Sequence, residues 1–231
     1  TGNYLATAKV GNNEFTKSIH IETVKPNRLK INFSLPETIY ESSCDSGFLM
    51  QAKWLHGADA KNLKATVYAT LHSTETKFKN YSDYIFTSPL KNYNSNDIVL
   101  FENALNENGS TKINCNLKVG ENSPGMLSAS FVTKVFEEGG DFSIDKTNCL
   151  YSPFKRYIGL KCPETKNNLE VNKNYNFQIA SVNQFGTMEE AEKLYLKIYK
   201  IEWRWWYEND DDDASTYLTK ASTIVVKDTI L

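Results

Sequence analysis

Residues 22–71 read ETVKPNRLKINFSLPETIYESSCDSGFLMQAKWLHGADAKNLKATVYATL, and they read as a junction between two β-sandwich domains. Lys25-Pro26 ends whatever pairing precedes it, because proline has no amide hydrogen to donate and restricts the residue before it. From Asn27 onward a period of two appears: Leu29, Ile31 and Phe33 face one way, and Arg28, Lys30 and Asn32 the other. Phe48, Met50, Ala52 and Trp54 then alternate with Leu49, Gln51 and Lys53. After a Gly57-Ala58-Asp59-Ala60 turn, Ala65, Val67, Ala69 and Leu71 line the inner face of a further strand.

Upstream, Tyr4, Ala6, Ala8 and Val10 share one face of a strand, and Ile19, Ile21 and Thr23 alternate with His20 and Glu22. Gly11-Asn12-Asn13 lies between the two runs and tolerates positive φ, so the reading is a hairpin. A lone hairpin is marginal in water, so residues 1–24 are expected to be the closing strands of a preceding domain.

Downstream, strands are expected at Ile98–Leu105, Thr111–Val119 and Leu127–Phe136, with turn signals at Asn108-Gly109 and Gly139-Gly140. Some seven strands make a sandwich over 25–156. Lys77–Asp97, rich in Tyr, Asn and Ser, lacks a clean period and reads as a long excursion. Its aromatics Phe78, Tyr81, Tyr84 and Phe86 are expected to anchor it to that sandwich. Ser152-Pro153 breaks the run, and a further, incomplete sandwich is expected over 157–231. Its strands are expected at Tyr157–Lys161, Asn174–Val182, Leu194–Tyr207 and Ser222–Lys227. Met188–Lys193 is too short for a stable helix and reads as a loop or single turn.

Composition agrees with an all-β protein of tandem antiparallel sandwiches. The 231 residues leave room for two domains, and thirteen Tyr and twelve Phe suit pleated, half-buried surfaces. Twenty-six basic and 28 acidic residues give a net charge of −2 without a basic field, which argues against a nucleic-acid partner. No apolar run approaches the roughly 20 residues that span a bilayer. The chain opens on Thr1-Gly2-Asn3-Tyr4 with neither signal peptide nor initiating Met, and is expected to be a mature piece of something longer.

No constellation of an enzyme is visible. Cys44, Cys115, Cys149 and Cys162 are isolated, with no C-x-x-C pair for zinc or redox chemistry. Cys115 shares a face with Ile113 and Leu117 and reads as a small buried hydrophobe, although four cysteines in an oxidising compartment leave one disulfide open, with three complete pairings. His20, His56 and His72 have no second imidazole at ligand spacing. Serines lack the G-x-S-x-G context, and no glycine-rich loop precedes a helix. No metal, cofactor or catalytic residue is expected.

Two features of the last unit stand apart. Glu202-Trp203-Arg204-Trp205-Trp206-Tyr207 places Trp203, Trp205 and Tyr207 on one strand face and Arg204 and Trp206 on the other. Tryptophan at such positions is ordinarily core or domain interface. An exposed set would instead make Trp203, Trp205 and Trp206 an interaction surface, stacking on sugars or on Arg204. Asp210-Asp211-Asp212-Asp213 lacks the spaced ligands and glycine of a calcium loop and reads as a solvated, self-repelling loop.

Three pieces of the chain resemble the α2-macroglobulin family of protease-trapping proteins, in its bacterial branch: Glu22–Phe33, Trp54–Leu63 and Phe131–Ser143. The resemblance covers most of the chain and implies macroglobulin-like sandwiches of about 100 residues each, here the fifth and sixth, preceded by the end of the fourth. It implies an exported protein of the periplasm or cell envelope, lipid-anchored in the parent, whose partners are trapped proteases and neighbouring macroglobulin-like domains. In such relatives a bait segment lies within the sixth domain, and its cleavage triggers a collapse around the protease; here the loop from Tyr207 to Tyr217 is in that domain but is short and acidic. The family's thioester needs a Cys separated by one residue from Glu-Gln. The four cysteines here are followed by Asp-Ser-Gly, Asn-Leu-Lys, Leu-Tyr-Ser and Pro-Glu-Thr, so that group is not expected on this segment. Function therefore divides between a non-catalytic structural segment of a protease trap and a carbohydrate-binding or adhesive module built on the tryptophans.

Overall fold

A computed structural model describes residues 2–11, 13–21, 26–117, 119, 122–163, 169–170, 172–191, 193–208 and 216–230; of 2–3, 20–21, 199, 201–208 and 216–230 it describes the backbone. The described residues are all-β, with short 3-10 turns that include Glu41–Ser46 and Lys79–Tyr81 and no α-helix.

The first two strands, β1 (Gly2–Val10) and β2 (Asn13–Ile21), pair antiparallel from Gly2↔Ile21 to Val10↔Asn13. Gly11 supplies the left-handed turn at φ 62. The expected continuation through Thr23, and the start of the segment from Glu22, lie outside the described residues.

A sandwich follows. Its smaller sheet runs β3 (Leu29–Phe33), β5 (Phe48–Trp54), β8 (Ser110–Ile113) in spatial order. The larger sheet has the order β4 (Thr38–Tyr40), β10 (Phe142–Ser152), β9 (Leu127–Phe136), β6 (Lys64–Ser73), β7 (Ile98–Ala104). All pairings are antiparallel except β4, which runs parallel to β10 at the sheet edge. The period of two has its expected physical meaning here: Leu29 and Phe33, Met50 and Ala52, and Ala65, Val67, Ala69 and Leu71 all point into one core. Phe33 from one sheet meets Phe131 from the other edge-on, with centroids 5.6 Å apart.

The Asn108-Gly109 signal marks a real turn between β7 and β8. Asn106 Oδ1 accepts from the amides of Asn108 and Ser110, at 2.9 and 3.0 Å. Gly109, at φ 65, passes so close to the main chain that a β-carbon would lie 2.6 Å from the Ala52 carbonyl oxygen. One expected strand is shorter than its pattern. The strand expected over Thr111–Val119 ends at Ile113; Cys115, Leu117 and Val119 still face the core, but from irregular chain, so alternation persists without a ladder. Strands β4 and β10 follow no clean apolar alternation and arise from pairing with neighbours rather than from local pattern.

Beyond the sandwich, β11 (Arg156–Lys161) pairs with β12 (Gln178–Asn183), and β13 (Tyr195–Glu208) with β14 (Thr216–Ile230). β12 begins four residues later than the expected Asn174, and no helix forms over 188–191.

Candidate functional site

The most developed geometry lies where the sandwich meets β11 and β12. The chain between β6 and β7, residues 74–97, leaves the sandwich as an arm whose ends are tied to the body. The Thr76 amide donates to Thr87 Oγ1 and the Met126 amide to Thr76 Oγ1, both at 2.7 Å, while the Ser88 amide donates to the Pro124 carbonyl at 2.7 Å. Its return is laid along β6, with the Ser95 amide on the Leu71 carbonyl and the Tyr93 amide on Ser73 Oγ. These bonds hold both ends of the arm against the body.

The arm's aromatics dock on the next unit rather than solely on the sandwich from which they come. Phe78 and Phe86 are buried and pack edge-on at 4.8 Å, with Phe78 also 5.4 Å from Tyr157 of β11. They share one apolar cluster with Met126, Tyr157 and Val182. Two glycines make the fit: a β-carbon at Gly159 would lie 2.5 Å from the Phe86 ring, and one at Gly186 would lie 2.8 Å from Phe78. The Ile85 and Leu160 amides each donate to the other's carbonyl, at 2.9 and 3.0 Å, so the arm adds one rung to β11. Around this rung Tyr84 donates to Gln178 Oε1 at 3.1 Å, and Lys161 Nζ pairs with Asp83 at 3.1 Å. The Lys161 ammonium holds the Asp83 carboxyl below the ordinary carboxylate range, and Arg156 does the same for Glu189. The expectation that the four aromatics fix the excursion to its own sandwich is corrected: Gly159 on β11 and Gly186 after β12 give Phe86 and Phe78 a second floor. Sequence reasoning missed Gly159 and Gly186, although a glycine inside a strand signals close approach of another group.

The segment entering the sandwich is also fixed. Asn27 donates to the Ile144 carbonyl at 2.8 Å and accepts from its amide at 3.0 Å, as a strand residue would. The amides of Arg28 and Leu29 both donate to buried Ser143 Oγ at 3.0 Å. The Arg28 guanidinium stacks over Trp54 at 5.7 Å and pairs with Glu137 at 2.8 Å.

The candidates singled out from sequence are dispersed. Trp203, Trp205 and Trp206 lie in β13, in register with Ala221, Thr219 and Leu218, and their side chains lie outside the described residues. Asp210–Asp213 and most of the loop from Tyr207 to Tyr217 also lie outside them. Cys44 and Cys115 are buried, Cys149 is half-buried and Cys162 is exposed, all as free thiols. Burial pushes Cys44 up to about 11 and Cys115 and Cys149 up to about 12. His56 stacks on Trp54, His72 lies 3.3 Å from Asn94 Oδ1, and the His20 side chain lies outside the described residues. Among the described residues, no three His, Cys, Asp or Glu side chains are grouped to hold a metal ion, and no helix is long and apolar enough to cross a membrane.

Comparison with known proteins gives two family matches in consecutive order: the bacterial alpha-2-macroglobulin MG5 domain over residues 27–144, and bacterial macroglobulin domain 6 over residues 159–231. Comparison with curated protein sequences gives no match. Among solved structures, the chain is similar to Escherichia coli alpha-2-macroglobulin in its native conformation, at 14% identity and a TM-score of 0.60 over 100% of this chain and 15% of that one. It is similar to Salmonella alpha-2-macroglobulin reacted with methylamine, at 13% identity and 0.59 over 100% and 16%. It is similar, too, to E. coli alpha-2-macroglobulin activated by porcine elastase, at 13% identity and 0.56 over 100% and 21%. At these identities the structural likeness shows the fold, and the chain spans only about a sixth of the length of the first two. The two consecutive domain matches carry the assignment: this chain belongs to the bacterial α2-macroglobulin family, as a structural segment of such a protein.

Proposed function

We propose that this segment serves as non-catalytic framework in an exported bacterial protease trap. The observation that carries the reading is the consecutive order of the two domain matches, fifth then sixth, along one chain. On this reading residues 25–156 and 157–231 are the two macroglobulin-like units, and residues 1–24 close the one before. The apolar side chains that β1 and β2 leave exposed, including Tyr4, Val10 and Phe15, support that last point, since an isolated hairpin is marginal in water. The parent acts in the periplasm or cell envelope, lipid-anchored there, and its partners are captured proteases and the adjoining domains.

The test uses the full-length parent with a panel of proteases, comparing cleavage of a large protein substrate with cleavage of a small peptide. Caging leaves the active site open to the peptide, so large-substrate cleavage falls while peptide cleavage survives. Persistence of both activities, with no protease comigrating with the protein, rejects the trap for that panel.

A further inference from the structure

We propose that the arm at 74–97 is a latch that makes the sandwich and the β11–β12 sheet move as one body. Two kinds of connection join them. One is local to the covalent crossing: the chain passes through Pro153, Phe154 and Lys155, Ser152 Oγ lies 2.7 Å from the Tyr157 hydroxyl, and Tyr40 meets Phe185 edge-on at 4.9 Å; a single chain crossing ordinarily allows relative motion. The other is the arm, tied at its base to 124–126 and at its tip to β11. A rotation about the covalent crossing must therefore break the Ile85–Leu160 rung and pull Phe86 off Gly159, exposing buried aromatic surface at the same time.

The glycines give the latch its specificity. Phe86 needs a residue without a β-carbon beneath it, and Gly159 provides this in mid-strand, where side chains otherwise stand on the sheet face. Gly186 does the same for Phe78, at φ 79. The two aromatics thus sit in sockets on different elements of the next unit. Sliding along β11 would drive the Phe86 ring onto the side chains flanking Gly159, so the packed position is a discrete one. The latch stands on this geometry and does not depend on protease trapping. Within a trap, it would make these two units a strut that passes displacement on rather than absorbing it.

Hydrogen exchange on the 231-residue chain tests the idea. The Ile85 and Leu160 amides should be protected to within about 10-fold of Val67 and Phe131 in the sandwich core. Exchange at the rate of exposed loops would overturn the proposal, and this wild-type reading holds whether or not a variant folds. Phe86→Ala should accelerate both amides at least about 10-fold, leave Val67 and Phe131 unchanged, and broaden the distance distribution in small-angle scattering. Ile85→Pro, at an exposed position, removes the donor of one of the rung's two hydrogen bonds, so Leu160 exchange should accelerate while Val67 and Phe131 stay unchanged. Unchanged scattering from a folded Phe86→Ala would mean that the arm packs without governing the joint, and would reject the latch.

Discussion

Phe86 lies so close to the α-carbon of Gly159 that a β-carbon on residue 159 would sit 2.5 Å from one ring atom and 2.6 Å from the next. Gly159 takes no left-handed conformation, so Gly159→Ala meets a purely steric penalty. The ring is buried among Phe78, Tyr157 and Met126 and has little room to withdraw. Overpacking of this kind costs about 1–3 kcal/mol. Denaturant unfolding of Gly159→Ala measures it, and a second substitution, Phe86→Ala, should restore part of the loss. Strictly additive effects of the two changes would contradict direct contact.

Ser143 has a similar significance for the entry to the sandwich. Its hydroxyl accepts from the amides of Arg28 and Leu29, and both Ser143 and Leu29 are buried. Ser143→Ala leaves a buried amide without an acceptor, at a cost of about 1–3 kcal/mol. Asn27→Ala, which removes the exposed pair of bonds to Ile144, should cost less than Ser143→Ala. An Asn27 effect equal to or larger than that of Ser143 would show that solvent does not replace those outer bonds.

Tyr151 gives a prediction of opposite sign. It is fully buried on β10, and its hydroxyl is among the buried polar atoms that find no hydrogen-bond partner. Burial pushes its ionisation well above the ordinary tyrosine range. Tyr151→Phe removes a polar atom that is desolvated without recompense, so stability should be unchanged or rise by about 1 kcal/mol. A clear loss in thermal unfolding would reveal a partner for the hydroxyl in solution.

The strands that could be read from sequence are those whose inward positions are apolar. Leu29, Phe33, Val67 and Leu71 all keep their expected faces, and pleat geometry alone ensures it. β10 escaped that logic because its pattern is partly inverted: buried Ser143 is flanked by Phe142 and Ile144, which are 44% and 42% exposed. Its place comes from ten successive pairs with β9, information that no local period contains. The aromatics of the arm were visible, but their destination was not. Phe86 and Gly159 are far apart in sequence, and a glycine reveals its partner only once the chain has folded. For the tryptophans of β13, sequence gave alternation and the backbone gave register, neither of which makes them a surface.

The cysteines complete the set of tests, because their surroundings fix both reactivity and pH response. Cys162 is exposed, whereas burial holds Cys44 near 11 and Cys115 and Cys149 near 12, against an ordinary value of 9.0. At neutral pH an alkylating reagent should therefore modify Cys162 rapidly and the other three only in denaturant, since the thiolate is the nucleophile. A folded-state pKa raised above the unfolded one means that the unfolded chain loses its protons first. The stability associated with the neutral thiols is then complete below pH 9 and declines as pH rises from 9 toward 11 and 12. Unfolding midpoints measured on both sides of pH 9 should fall on the alkaline side. Replacing Cys44, Cys115 and Cys149 together by Ala should flatten that fall, whatever it does to stability at neutral pH. If the slope survives the replacement, the thiols are not its source, and the buried phenols of Tyr151 and Tyr157, both shifted upward by burial, become the groups to replace.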